Sequence, residues 1–363
     1  MTLPFDRTPD PAPLPDVSFA SDNYAGAHPE ALDAMAAANR GHAVSYGADP
    51  WTAQLQDVVR GHFGEQAVAY PVFNGTGANV VSLASMLPRW GAVVTPTTAH
   101  TVTDENAAPE RVAGIKLLTV PTQDGRLTPE LLDREAWGWG DPHRAQPLVV
   151  SVSQATELGT VYSVEELRAL TDHAHGLGMR VHVDGARLAN AAAHLGVGLG
   201  DLTSAVGVDV LSLGGTKNGI VLGEAVVVLD PSAVDGVEYV RKLTMQLGSK
   251  LRFVSAQLVA LYGSDLWRRS AEHANAMASR LRAALEASAG AGRLVLTRGT
   301  ESNAVFAALP HDAAATLRGR WRFYDWNDHR DDGLVEVRWM CAWDTSPEAV
   351  DAFAADVLAA VGG

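Results

Sequence analysis

Two residues stand where a small molecule can be both held and activated. The apolar strand Val181-His182-Val183 ends in Asp184. The next strand, 208–213, runs into Gly214-Gly215-Thr216-Lys217-Asn218-Gly219. Open α/β sheets bind ligands beyond the carboxyl ends of their strands, so both groups are expected to point into one crevice. A lysine crowded by glycines behind a buried strand loses proton affinity and becomes nucleophilic toward aldehydes. A carboxylate beside it can pair with a protonated ring nitrogen, and together these are the two protein groups that pyridoxal 5'-phosphate chemistry requires. Each has a plainer reading, since loop lysines are mostly surface residues and aspartates often end strands or cap helices.

Other candidates surround this pair. The turn Asn74-Gly75-Thr76-Gly77 feeds a helical stretch, 78–87, and would present free N–H groups and a positive dipole end to an anion. Such turns are common, so this one is weak by itself. Arg187 follows Asp184 by three residues, and His100 follows the strand candidate 92–95.

The elements that must position these groups alternate. Strand-like runs at 67–73, 92–95, 115–120 and 147–152 are separated by helical patterns or turns, and Ser163 with Glu166 opens the helix 163–176 as a capping box. Strand and helix then alternate through the lysine loop to a further strand at 224–229. This predicts a mostly parallel sheet with helices on both faces. From about residue 250 the character changes, with long helical patterns at 251–261 and 267–287. Half-polar strands at 294–296, 304–308 and 334–340 follow, then a terminal helix at 346–361. The expected organisation is a proline-rich leader at 1–16, a large α/β domain at 17–250, and a smaller α+β domain at 251–363.

Composition narrows the function classes. With 28 Lys+Arg against 42 Asp+Glu, the net charge of −14 disfavours nucleic acid and anionic membrane as partners. A single cysteine, Cys341, excludes an internal disulfide and a cysteine-based zinc site, and suits a reducing compartment. No apolar run of membrane-spanning length is present, so the expected location is cytoplasmic.

Several ordered stretches resemble the low-specificity L-threonine aldolases, in the β-eliminating-lyase group of fold-type I pyridoxal-phosphate enzymes. They are F-A-S-D-N-Y-A-G at 19–26, Y-G-A-D-P-W-T-A at 46–53, F-N-G-T-G-A-N at 73–79 and A-H-T-V-T-D-E-N-A-A-P-E at 99–110. Q-A-T-E-L-G-T-V-Y at 154–162, H-V-D-G-A-R at 182–187, G-G-T-K-N-G at 214–219 and S-K-L-R-F-V-S-A at 249–256 continue the series. G-R-W-R-F-Y at 319–324 and V-R-W-M-C-A-W-D at 337–344 complete it.

The resemblance implies an aspartate-aminotransferase-like fold and retro-aldol cleavage of L-3-hydroxy-α-amino acids to glycine and an aldehyde. It further implies that Lys217 carries the cofactor and Asp184 pairs with its ring nitrogen. Arg187 would contact the ring hydroxyl, and His100 would stack on the ring. Gly75 and Thr76 would donate to the phosphate, with Arg252 reaching it from a neighbouring subunit. Ser21 and Arg338 would bind the substrate carboxylate, for which a planar guanidinium fork is well matched. Tyr46 would close the site, from the partner chain of a dimer or tetramer with sites at the dimer interface. Where other threonine aldolases carry a His-Asn pair this chain has Glu157-Leu158, so His100, Glu157 and a bound water are all candidates for the β-hydroxyl base. The chain also has Asn106 and Ala107 where the family has Cys and Gly. Two alternatives remain at this stage: a lyase or transaldolase of the same fold, and a non-catalytic cofactor-binding protein.

Overall fold

The computed structural model describes residues 17–286 and 293–362, so the leader at 1–16 lies outside the described residues. A first sheet contains β1 (Val68–Val72), β2 (Gly91–Pro96), β3 (Lys116–Val120), β4 (Gln146–Ser153), β5 (Arg180–Gly185), β6 (Val210–Leu213) and β7 (Glu224–Val228). Its strand order is β1-β7-β6-β5-β4-β2-β3. Neighbours from β6 to β3 pair in parallel, and only β7 runs against them, between β1 and β6. The mostly parallel sheet expected from the strand–helix alternation is therefore present.

Both faces of this sheet are buried, which is why its strands are runs of β-branched residues. Successive residues alternate between faces. Val94, Val150, Val152, Val181, Val183, Leu211 and Val227 join one core with Leu55 and Val59 of the helix Pro50–Phe63 and Leu167 and Leu170 of the helix Val164–Gly176. Val93, Val149, Val210 and Val226 join the opposite core, with Val81 and Leu83 of the helix Gly75–Met86. The capping box at Ser163 forms, with the Ser163 side chain accepting from the Glu166 N–H and the Glu166 carboxylate from the Ser163 N–H.

A second, antiparallel sheet holds β8 (Val295–Leu296), β9 (Ala304–Pro310), β10 (Tyr324–Asn327) and β11 (Leu334–Met340) in the order β10-β11-β9-β8. Its core includes Val305, Val337 and Trp339 together with Phe353 of the terminal helix Pro347–Gly362. Phe19, near the start of the described chain, lies in this same core, stacked on Phe353 with ring centroids 4.3 Å apart. Backbone bonds from Phe19 N–H to Arg322 and from Met340 N–H to Phe19 fix the segment beside the end of β11. The chain thus passes from the second core straight to Ser21 and Asp22. Among the described residues no helix is long and apolar enough to cross a membrane.

Candidate active site

The parallel register brings the carboxyl ends of three strands level. Ser153 of β4 pairs with Asp184 of β5, which pairs with Ser212 of β6. Past β6 the chain turns tightly. A Cβ on Gly214 would lie 2.6 Å from the Ala186 carbonyl oxygen, one on Gly215 2.6 Å from that of Gly223, and Gly219 has φ +96°. Only glycine fits so close an approach, and the turn presses Lys217 inward. Tyr262 donates its hydroxyl hydrogen to the Gly214 carbonyl, and the Gly215 N–H donates to Glu224. Burial pushes the Glu224 carboxyl up to about 7, against its hydrogen bonds from Gly215 and Thr216 and the nearby Lys217 charge.

Lys217 forms no hydrogen bond among the described residues. Burial first, then the charge of Arg187, lowers its proton affinity, against Asp22, Asp184 and Glu224. Asp184 accepts from Asn79 Nδ2 at 2.9 Å and from the Ala186 N–H at 3.0 Å. Burial would raise its pKa, but the Lys217 charge and these hydrogen bonds outweigh it and hold the carboxyl below the usual range. Asn79 lies one turn on from Gly75, so the start of the helix Gly75–Met86 faces the same crevice. Asn74 caps this helix through Gly77 N–H, leaving the first-turn N–H groups of Gly75 and Thr76 without intrahelical partners. An added Cβ at Gly75 would meet nothing within 4 Å, so the space before the helix is open.

His100 begins the short helix His100–Thr103 after β2. Its Nδ1 meets Glu105 Oε1 at 2.9 Å, and its backbone N–H donates to Glu157 Oε1 at 2.9 Å. The Glu105 hydrogen bond raises the His100 pKa above its ordinary value, against desolvation. Glu157 also accepts from the Ser153 hydroxyl at 2.6 Å, and burial pushes its carboxyl up.

Arg187 is clamped rather than free. Its Nε and Nη2 donate to the two oxygens of Asp22 at 2.7 and 2.8 Å, and Asn303 Nδ2 adds a third donor to Asp22 at 3.1 Å. Asp22 thus joins the second-sheet side, through Asn303, to the first-sheet side, through Arg187. Arg338, on β11, has no carboxylate partner among the described residues, and its buried Nε is unpartnered. Burial and the neighbouring Arg187 push it down to about 10. Its guanidinium lies 4.8 Å from the Trp326 ring centroid. Ser21 precedes Asp22, and its hydroxyl oxygen accepts from Asn23 N–H at 3.2 Å.

Lys217, Asp184, His100, Arg187, Glu157 and Arg338 are therefore joined by hydrogen bonds and mutual charge. Arg252 and Tyr46 lie elsewhere in this chain. Arg252, whose Nη1 donates to the Gly41 carbonyl at 3.4 Å, lines a separate cleft of about 510 Å³ with His42, Ser45 and Lys250. Tyr46 is 53% exposed, with Lys242 Nζ 5.2 Å from its ring centroid.

Sequence reasoning passed over Asp22, Asn79, Glu105 and Glu224. Three of them lie inside the stretches 19–26, 73–79 and 99–110, where a charged or amide residue within a glycine turn or beside a site residue was the available signal. Glu105 is followed by Asn106 and Ala107 at φ 48° and 58°. A Cβ in this left-handed region costs about 1 kcal/mol. Ala107→Gly is expected to raise stability by roughly that amount, read as a higher thermal midpoint, and a lower midpoint would contradict the strain.

The donor set fits pyridoxal phosphate: an unpartnered amine, an ionised carboxylate with lone pairs to spare, and open N–H groups at a helix start. A family model of the β-eliminating lyases matches residues 18–310. The low specificity L-threonine aldolase of Pseudomonas aeruginosa is 42% identical over 95% of this chain and 98% of its own. That of Pseudomonas sp. strain NCIMB 10558 is 41% identical over 94% and 97%. The solved structure of Leishmania major threonine aldolase superposes with a TM-score of 0.89 at 28% identity, covering 95% of this chain and 99% of that one.

Proposed function

This chain belongs to the β-eliminating lyase family, among its low-specificity L-threonine aldolases, and from that premise we propose how its residues cleave L-3-hydroxy-α-amino acids. The substrates are L-threonine, L-allo-threonine and bulkier analogues of the phenylserine type, and the products are glycine and an aldehyde. The observation that carries the reading is one cluster holding an unpartnered amine at Lys217, an ionised Asp184 and an unpaired guanidinium at Arg338.

Pyridoxal 5'-phosphate, when bound, supplies an aldehyde that condenses with amines and a ring that accepts the electron pair of the breaking Cα–Cβ bond. Lys217 would carry it through Nζ, and the lowered proton affinity of that amine favours the neutral, nucleophilic form. Asp184 would keep the ring nitrogen protonated. His100 and Arg187 would contact the ring, and the Gly75 and Thr76 N–H groups would take the phosphate. Arg338, with Ser21, would hold the substrate carboxylate, because Arg187 is already neutralised by Asp22. Fixing the carboxylate and the amine together fixes which Cα bond faces the ring, which is alignment, the chain's main contribution to rate. The candidates to take the β-hydroxyl proton are His100, which feels the charges of both Lys217 and Asp184, and Glu157, which feels that of Asp184.

Arg252 and Tyr46 would serve the site of a neighbouring copy. Tyr239, Leu243, Met245 and Val44, in the segments that lead up to Arg252 and Tyr46, are 80, 79, 77 and 69% exposed, an apolar display that supports burial in a homo-oligomer. Equimolar glycine and acetaldehyde from L-allo-threonine is the expected outcome of incubation with the purified protein and cofactor. A keto acid with ammonia would instead assign the chain to elimination.

A further inference from the structure

A buried carboxylate at Glu105 has a place that cofactor anchoring alone does not require. Its Oε1 accepts from Asn79 Nδ2 at 2.9 Å and meets His100 Nδ1 at 2.9 Å. Asn79 Nδ2 gives its other hydrogen to Asp184 Oδ2, also at 2.9 Å. The result is an unbroken path, His100–Glu105–Asn79–Asp184, linking the two residues expected to contact the ring. The Glu105 side chain is 0% exposed, no lysine or arginine pairs with it among the described residues, and its Oε2 has no partner there. An ionised carboxylate so placed is costly to bury unless something it holds compensates.

An ionised carboxylate can only accept, so the neutral imidazole beside it must carry its hydrogen on Nδ1. The other nitrogen, Nε2, then bears the lone pair, and it forms no hydrogen bond among the described residues. We infer that Glu105 and Asn79 are positioning residues that lock His100 in the Nδ1–H form, so that Nε2 accepts the proton of the substrate β-hydroxyl. The O–H electron pair becomes the second bond of the aldehyde carbonyl as the Cα–Cβ pair is left on Cα. The proton rests on Nε2, its charge offset by Glu105, and a proton is returned to Cα to complete glycine. Asn79 spaces Glu105 from Asp184, so two buried carboxylates share one amide rather than face each other. Glu157 is the alternative acceptor through Oε2, since its Oε1 is already taken by the Ser153 hydroxyl and the His100 N–H.

This inference rests on the assignment of His100 and Asp184 to the cofactor site. The groups that set the His100 charge are Glu105 beside it, Glu157 from the loop after β4, Asp184 from β5 and Lys217 from the loop after β6. Removing the Glu105 charge takes away the hydrogen bond that raises the His100 pKa, so in Glu105→Gln the acid limb of the kcat/KM profile moves to lower pH. Loss of the fixed orientation lowers kcat on the order of 10²-fold, while the KM for L-allo-threonine stays nearly constant and Glu105→Asp recovers part of the loss. Nitrogen-15 histidine spectra of the wild-type holoenzyme, assigned with His100→Asn, read the tautomer without relying on turnover. The expected spectrum has a protonated Nδ1 and a bare Nε2 above the histidine pKa. A protonated Nε2, or an acid limb that stays in place in a folded Glu105→Gln, overturns the inference. A wild type that releases no glycine overturns the aldolase reading instead, so the two failures are distinguishable.

Discussion

Lys217→Ala is expected to abolish glycine release, by at least about 10⁴-fold, as removal of a covalent catalytic group does elsewhere. The variant should keep its fold, because Lys217 makes no hydrogen bond among the described residues and its loop is held by other contacts. The Gly215 N–H goes to Glu224, the Gly214 carbonyl to Tyr262 and the Asn218 side chain to the Trp267 carbonyl. Added amines would restore part of the turnover by replacing the missing Nζ. Activity within about tenfold of wild type would remove Lys217 from the mechanism.

Asp184→Asn carries the second largest effect. The substitution keeps the side-chain shape and lets one oxygen go on accepting from Asn79 or Ala186. What it removes is the charge that would keep a ring nitrogen protonated. Removing one partner of a buried ion pair costs about 3–5 kcal/mol. Borne in the transition state, that cost lowers kcat by roughly 10²- to 10⁴-fold. Steady-state kinetics should show the fall in kcat with little change in KM, because the proposed carboxylate holders, Arg338 and Ser21, would be untouched. A rise in KM alone would make Asp184 a binding group and contradict its role toward the ring.

The sheet was legible because its strands are buried on both faces and bounded by glycine turns, which leaves a continuous apolar signal. The lysine loop was legible for a related reason: the glycines that let Gly214 and Gly215 approach Ala186 and Gly223 are visible as a cluster beside one lysine. β10 was not, because Tyr324–Asn327 is a largely exposed strand at the sheet edge and carries no alternation of apolar residues. Phe19, followed in sequence by the polar run Ser21-Asp22-Asn23, is buried against Phe353, more than 300 positions away in sequence. No local pattern carries such a contact. The same limit hid Asp22 and Glu105. Each acts through a partner on a different element, Arg187 for the first and Asn79 for the second, so their meaning appears only when the chain is folded. Arg252 and Tyr46 are legible only by resemblance, since within one chain they lie away from the Lys217 cluster.

Borohydride reduction of the purified protein with its cofactor, followed by peptide mapping, reads directly whether Lys217 carries the cofactor. A visible absorbance that bleaches on reduction is expected, with a stable label on the peptide containing Lys217 that is absent from Lys217→Ala. A protein that gains no chromophore with pyridoxal phosphate, or a label on another lysine, would contradict it.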